Sequence, residues 1–105
     1  MKDYRGAANR SYYAVFHAMR AVLALDGVDM KHHSGIISEF RRRYIKTELL
    51  DKGLSEVIQL QSEYRTSSDY DDFFVLSKEE VTEQVSSAGQ FLSAIEKFLD
   101  EEKKA

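Results

Sequence analysis

The chain contains no cysteine, no proline and no tryptophan, and only five glycines in 105 residues. Without cysteine there is no disulfide framework, no thiolate metal site and no cysteine nucleophile. Without proline, nothing interrupts a long helix. No apolar run approaches the roughly 18 residues of a membrane span, and no charged-then-apolar leader opens the chain. The expectation is a soluble, cytoplasmic protein. Basic charge is also in deficit: 15 Lys and Arg stand against 18 Asp and Glu, for a net charge of −3. Phosphate neutralisation supplies most non-specific nucleic-acid affinity, so any RNA or nucleotide contact must use a local patch. The motifs of an ordinary hydrolase are missing as well: there is no nucleophile elbow, no phosphate loop and no metal-ligand cluster.

What is present is a core. Hydrophobic residues make up 43% of the chain, too many for a disordered segment. The length suits one domain over residues 1–105, at the low end of the usual range of about 100–150. Four helical segments can be placed. The first runs from about Asp3 to Leu25 and stops at the turn dipeptide Asp26-Gly27. The second runs from about Ser34, a plausible N-cap, to Ile45, with Ile36, Ile37, Phe40 and Tyr44 at helical spacing. The third starts after Gly53 and reaches about Tyr70, with Leu54, Val57, Ile58, Gln61, Tyr64 and Arg65 sharing a face. The fourth opens on a capping box, Ser77 and Glu80, followed by a seam of Val81, Val85, Ala88, Leu92, Ile95 and Leu99 that Phe91 and Phe98 widen. The last residues, "DEEKKA", read as a solvated tail. The short "FFVL" stretch is too isolated to build a sheet. The predicted fold class is therefore all-α, an up-and-down antiparallel bundle of four main helices.

The first helix carries two stripes. At about 100° per residue, Arg10 and His17 fall nearly in line, with Tyr13 and Arg20 beside them and Ala14, Ala21 and Ala24 between. Tyr12, Val15, Phe16, Met19, Val22 and Leu23 occupy the other side. A histidine can act as general base near neutral pH and an arginine beside it can hold phosphate. The same stripe also suits a network of hydrogen bonds holding helices in register. On the third helix, Arg65 falls on the apolar face with Asp69 one turn later. Asp69 either forms a structural ion pair or holds the guanidinium for a phosphate. The three acids of "DYDD" suit a solvated helix end better than a metal site.

Taken in order, "ANRSYYAVFHAMRAVL", "KHHSGIISEF" and "EYRTSSDYDD" resemble the HEPN family (higher eukaryotes and prokaryotes nucleotide-binding), in particular a small prokaryotic branch with an R-x-Y-Y-A-x-F-H helix and a later R-x-x-x-D-Y. The resemblance spans Ala7 to about Leu99. It implies a helical bundle that commonly forms a homodimer, often paired with a minimal nucleotidyltransferase as a toxin–antitoxin module. Active members are metal-independent ribonucleases that need no cofactor and use an arginine and a histidine four to six residues apart. In some pairs the transferase instead adenylates a tyrosine near that motif, a position that Tyr70 matches in part.

The sequence departs from the ribonuclease pattern: the positions where the histidine should follow Arg65 hold Tyr70, Asp71 and Asp72. Arg10 and His17 satisfy the spacing, but on the first helix. If RNA is cut, His17 is the expected base, with Arg65 and Arg10 stabilising the transition state. The nucleotide- or RNA-binding set comprises Arg10, Tyr13, His17, Arg65, Asp69 and Tyr70, with no metal. His33, in the family's H-x-G stretch, is expected to anchor the second helix. Arg41, Arg42 and Arg43 form the best local basic patch. Family members usually have a helix ahead of "RSYY". Its shortening here predicts an apolar groove covered by a second copy or a partner.

Overall fold

The computed structural model describes residues 4–70 and 77–104, with side chains described as far as Arg65 in the third helix and Lys103 in the fourth. Helix α1 spans Tyr4–Ala24, α2 His33–Phe40, α3 Gly53–Tyr70 and α4 Lys78–Lys104, and a single π-helical turn, Arg41–Ile45, extends α2. There is no strand among the described residues. "FFVL" and the end of "DYDD" lie outside them. The expected tail is instead the last turn of α4, helical and exposed. At about 1.5 Å per residue, the 27 residues of α4 extend about 40 Å and set the long axis of a molecule measuring 46 × 24 × 20 Å.

Asp26-Gly27 ends α1 as the sequence predicts. Gly27 adopts φ 73°, its N–H donates to the Ala24 carbonyl, and the Val28 N–H reaches back to Leu23. This is a Schellman arrangement, in which a left-handed glycine satisfies carbonyls the helix end leaves open. Val28 then packs on the core and the chain folds back alongside α1. As a result α2 starts beside the middle of α1, where His33 meets Tyr12, and Tyr44 ends beside Val22 and Asp26. Strict up-and-down alternation is therefore not kept. Helices α1 and α4 also run the same way: Gln84, early in α4, reaches the Ala8 carbonyl early in α1, while Phe98 near the end of α4 packs on Tyr44, which bonds the Val22 carbonyl near the end of α1. Helix α3 runs opposite to both: Arg41 reaches Ser55 near its start and Tyr64 meets Glu80 near its end.

The core joins Val15, Phe16, Met19, Val22 and Leu23 of α1 to Ile36, Phe40, Ile58, Phe91 and Ile95. The stripe of α4 is rotated from the predicted one. Gln84 and Phe91 are fully buried, whereas Val85 is 47% exposed. Gln84 is polar, so a hydropathy pattern skips it, yet its amide belongs to a buried network. Its Nε2 donates to Gln61 Oε1 at 2.8 Å and to the Ala8 carbonyl at 3.2 Å, while Gln61 Nε2 donates to the Gln84 carbonyl at 2.9 Å. These bonds tie α1, α3 and α4 together.

Two end-of-helix expectations resolve differently. The Ser77 hydroxyl accepts from the Glu80 N–H at 3.1 Å, as a capping box requires, and the Glu80 carboxylate accepts from the Tyr64 hydroxyl at 3.3 Å. Ser34 does not cap α2. The cap position is His32, without a side-chain bond, because His33 is already drawn into the helix by its contacts with α1.

Candidate functional site

The two stripes of α1 separate as their periodicity predicts. Tyr12, Val15, Phe16, Met19, Val22 and Leu23 are buried, while Arg10, Tyr13, His17 and Arg20 are exposed. Along the boundary between the stripes, three elements converge: the middle of α1, the first residue of α2 and the second half of α3.

Arg65 of α3 provides the charge. Its guanidinium carbon lies 4.8 Å from the ring centroid of Tyr12 and 4.9 Å from that of Tyr13. Those rings meet edge to face, with centroids 5.4 Å apart. A guanidinium seated on two aromatic faces is held by the ring quadrupoles and by packing, which fixes where its positive charge sits. Tyr13 continues outward to His17, the two rings stacking at 6.2 Å.

His33 forms the base of the arrangement. Its ring stacks on Phe16 at 4.0 Å, and its Nδ1 lies 2.7 Å from the Tyr12 hydroxyl. Burial lowers the His33 pKa from its ordinary 6.5, and the positive potential of Arg65, Arg20 and His17 lowers it further. The imidazole is thus held neutral. In the tautomer protonated on Nε2, Nδ1 accepts from the Tyr12 hydroxyl. His33 does anchor α2, and it does so from within the cluster that contains Arg65. The sequence reading separated these roles. Two signals connect them: the histidine stands at the head of H-x-G, and an aromatic pair on α1 can receive it.

Arg10 is exposed beside the shallow groove between α1 and α4, which Val85 and Gly89 also line. The seven-residue spacing that aligns it with His17 also separates them by about 10.5 Å of helical rise. Asp69 and Tyr70 follow Arg65 on α3, but their side chains lie outside the described residues. Beyond His17 a shallow hollow continues along Ala21 and Ala24 to an exposed ion pair, Arg20–Asp29, at 3.4 Å. The expected arginine patch is partly neutralised. Glu39 binds Arg42 and Arg43, each at 2.8 Å, and Arg43 also reaches Asp26 at 3.4 Å. Hydrogen bonds from Arg42 and Arg43 hold the Glu39 carboxyl down at about 2.

Among the described residues, no group of three or more His, Asp or Glu side chains could hold a metal, and no helix is long and apolar enough to cross a membrane. The chemistry on offer is therefore a fixed guanidinium, an exposed imidazole, a second imidazole held neutral, and an exposed tyrosine face.

The family model for the HEPN domain matches residues 1–98. A "UPF0332 protein" from Thermotoga maritima is 34% identical over 99 residues, 94% of this chain and 75% of its own length. From Methanocaldococcus jannaschii, the protein named "Putative toxin MJ0142" is 34% identical across 91% of this chain and 65% of its own length. A second from that organism, "Putative toxin MJ0605", is 29% identical across 95% and 74% respectively. The chain is thus similar to most, but not all, of each relative's length. No solved structure matches. With its family model covering nearly the whole chain and its helices arranged as a bundle, this protein belongs to the HEPN domain family.

Proposed function

We propose that this protein is the HEPN member of a toxin–antitoxin module and receives RNA or a nucleotide on the Tyr13, His17, His33 and Arg65 surface. One observation carries the reading: Arg65 is seated on the rings of Tyr12 and Tyr13, at a face where Tyr13 and His17 are open to solvent. The tyrosine face offers a stacking platform for a base, and the fixed guanidinium offers positive charge to a phosphate. Asp69 and Tyr70, one turn further along α3, complete the surface in this reading. Two relatives carry a toxin name, which supports a toxin–antitoxin setting in which a minimal nucleotidyltransferase is the partner. A second copy of the chain brings two such surfaces together, with Arg10 beside the α1–α4 groove.

In a ribonuclease reaction of this surface, His17 takes the proton from a ribose 2′-hydroxyl. The 2′-oxygen attacks the adjacent phosphorus, the bond to the 5′-oxygen breaks, and a proton from water or a neighbouring acid reaches the departing oxygen. Arg65 stabilises the charge that builds on the phosphoryl oxygens.

The competing reading makes the polar stripe a purely internal network. Against it, the buried polar network of this fold is Gln61 with Gln84, and the stripe on α1 is exposed. The test is cleavage and binding of RNA by the purified protein beside an Arg65→Ala, His17→Ala double variant. Cleavage lost in the double variant makes the surface an active site. Binding without cleavage, lost in the same variant, makes it a recognition site. Equal behaviour of both proteins, with the variant less stable, rejects the proposal.

A further inference from the structure

Between α2 and α3 runs a cleft of about 470 Å³. Arg41, Arg42 and Lys46 line it, with Ser34 and Ser38 on α2 and Ser62 on α3, and no carboxylate is part of its lining. In a chain of net charge −3, a cleft lined by Arg41 and Lys46 without a carboxylate partner, and by Arg42 paired with Glu39, is a local reversal of sign. Glu39 binds one of these cations, Arg42, together with Arg43, while Glu63 accepts from Gln59. Among the described residues, neither Arg41 nor Lys46 pairs with a carboxylate. One Arg41 Nη donates to the Ser55 carbonyl at 3.3 Å, and its buried Nε has no acceptor.

The lining residues extend along both helices, with Ser34 and Ser62 at one end. Ser34 follows His33 directly and Ser62 lies one turn before Arg65, so this end adjoins the Arg65 cluster. The other end is at Arg41 and Lys46, beside the start of α3. From Ser34 to Lys46 the helical rise is about 18 Å, on the order of three to five phosphate spacings along a strand. Donors dispersed along a track suit a repeating anion better than a single small one. The π-helical turn contributes to this register. The Lys46 N–H bonds the Arg41 carbonyl five residues back, and the added residue lets Tyr44 and Ile45 point into the core while Arg41, Arg42 and Lys46 line the cleft.

We infer that the α2–α3 cleft is a backbone track for single-stranded RNA, carrying the strand away from the Arg65 cluster toward Lys46. The inference rests on the RNA reading of that cluster, and its test separates the two. Fluorescence anisotropy is measured with labelled 2′-O-methyl oligouridines of two and twelve nucleotides, which lack the hydroxyl needed for cleavage. The proteins are wild type, Arg41→Gln/Lys46→Gln, Lys46→Gln alone and Arg65→Ala.

The double variant is expected to bind the twelve-mer about ten-fold more weakly and the two-mer unchanged. Its salt dependence should fall by about 1.4 in log–log slope, from about 0.7 for each of two lost phosphate contacts. Lys46→Gln alone, which removes no described structural bond, should give half of that slope change. Unaltered twelve-mer binding in both groove variants overturns the track, even where Arg65→Ala weakens both oligomers. Loss confined to the groove variants, with Arg65→Ala binding normally, keeps the track and rejects the cluster. Absence of wild-type binding to either oligomer rejects both.

Discussion

The Tyr12 hydroxyl and Nδ1 of His33 lie 2.7 Å apart, joining the middle of α1 to the first residue of α2. Twenty-one residues separate them in the chain, including the Schellman turn at Gly27. The bond fixes where α2 begins, holds the Tyr12 ring under Arg65, and orients an imidazole whose other nitrogen is free of that bond. The anchor of α2 and the support of the Arg65 guanidinium are therefore built from one pair of side chains.

His33 gives the first prediction. Its folded pKa lies below 6.5, so below that pH the unfolded chain binds more protons than the folded one. The neutral imidazole's contribution to stability is complete above pH 6.5 and declines as pH falls from there toward the folded pKa. Proton NMR should show His33 titrating below pH 6.5, and urea midpoints should fall between pH 7.5 and 5.5. A nucleoside monophosphate seated on Arg65 offsets one of the depressing charges, so adding it should move the His33 titration upward. A His33 titration at or above 6.5 in the free protein contradicts this account.

Arg65 gives the second. Arg65→Lys keeps the charge but loses the flat cation that lies over two rings, a contribution of about 1 kcal/mol. Isothermal titration with adenosine monophosphate should give about five-fold weaker binding for Arg65→Lys and at least about ten-fold for Arg65→Ala. Full retention of affinity by Arg65→Lys would mean that only net charge matters there.

Much of this was legible in the sequence because helix periodicity is a strong signal and proline is absent. The division of α1 into a buried face and an exposed Arg10, Tyr13, His17 and Arg20 face followed from 100° steps alone. The rotation of α4 did not, since the central inward position is Gln84 and its burial depends on Gln61 and the Ala8 carbonyl, which are distant in sequence. The place of His33 beside Arg65 is not legible in the pattern, because Tyr12 and Phe16 become its neighbours only after residues 25–32 fold back along α1. The "RRR" run looked like a free basic patch because Glu39 and Asp26 meet Arg42 and Arg43 only in the folded structure. Local pattern carries the faces of helices; it does not carry which faces meet.

Glu39 gives the third prediction. Its pKa falls from an ordinary 4.5 to about 2, chiefly through hydrogen bonds from Arg42 and Arg43. A depressed carboxyl contributes stability above the unfolded pKa and loses it as pH drops through the folded one. Glu39→Gln should thus leave urea stability near neutral pH almost unchanged, because the pair is open to solvent and screened. Between pH 4.5 and 2 the variant should lose stability less steeply than wild type. Parallel acid limbs in the two proteins would mean that the ion pairs do not persist in solution.

The buried glutamines give the last. Gln84 Nε2 is shared between Gln61 Oε1 and the Ala8 carbonyl, while Gln84 Oε1 is buried without a partner. Gln84→Ala strands the Gln61 oxygen, removes the second donor to the Ala8 carbonyl, and leaves a cavity at a fully buried position. An orphaned buried polar group costs about 1–3 kcal/mol, and cavity formation adds to it, so chemical denaturation should show a loss of about 2–4 kcal/mol. Gln61→Leu should cost a comparable amount by leaving Gln84 without one of its two acceptors and the Gln84 carbonyl without the Gln61 amide. Replacing both by leucine removes two amides at once and the unpaired Gln84 oxygen with them, so the double variant should be less destabilised than the sum of the single changes by about 1 kcal/mol or more. Additive effects would mean that the two amides act independently. A network that couples them should also leave RNA or nucleotide binding at Arg65 unchanged in Gln84→Ala at temperatures where that variant is folded, because its bonds hold the bundle and do not reach the tyrosine platform.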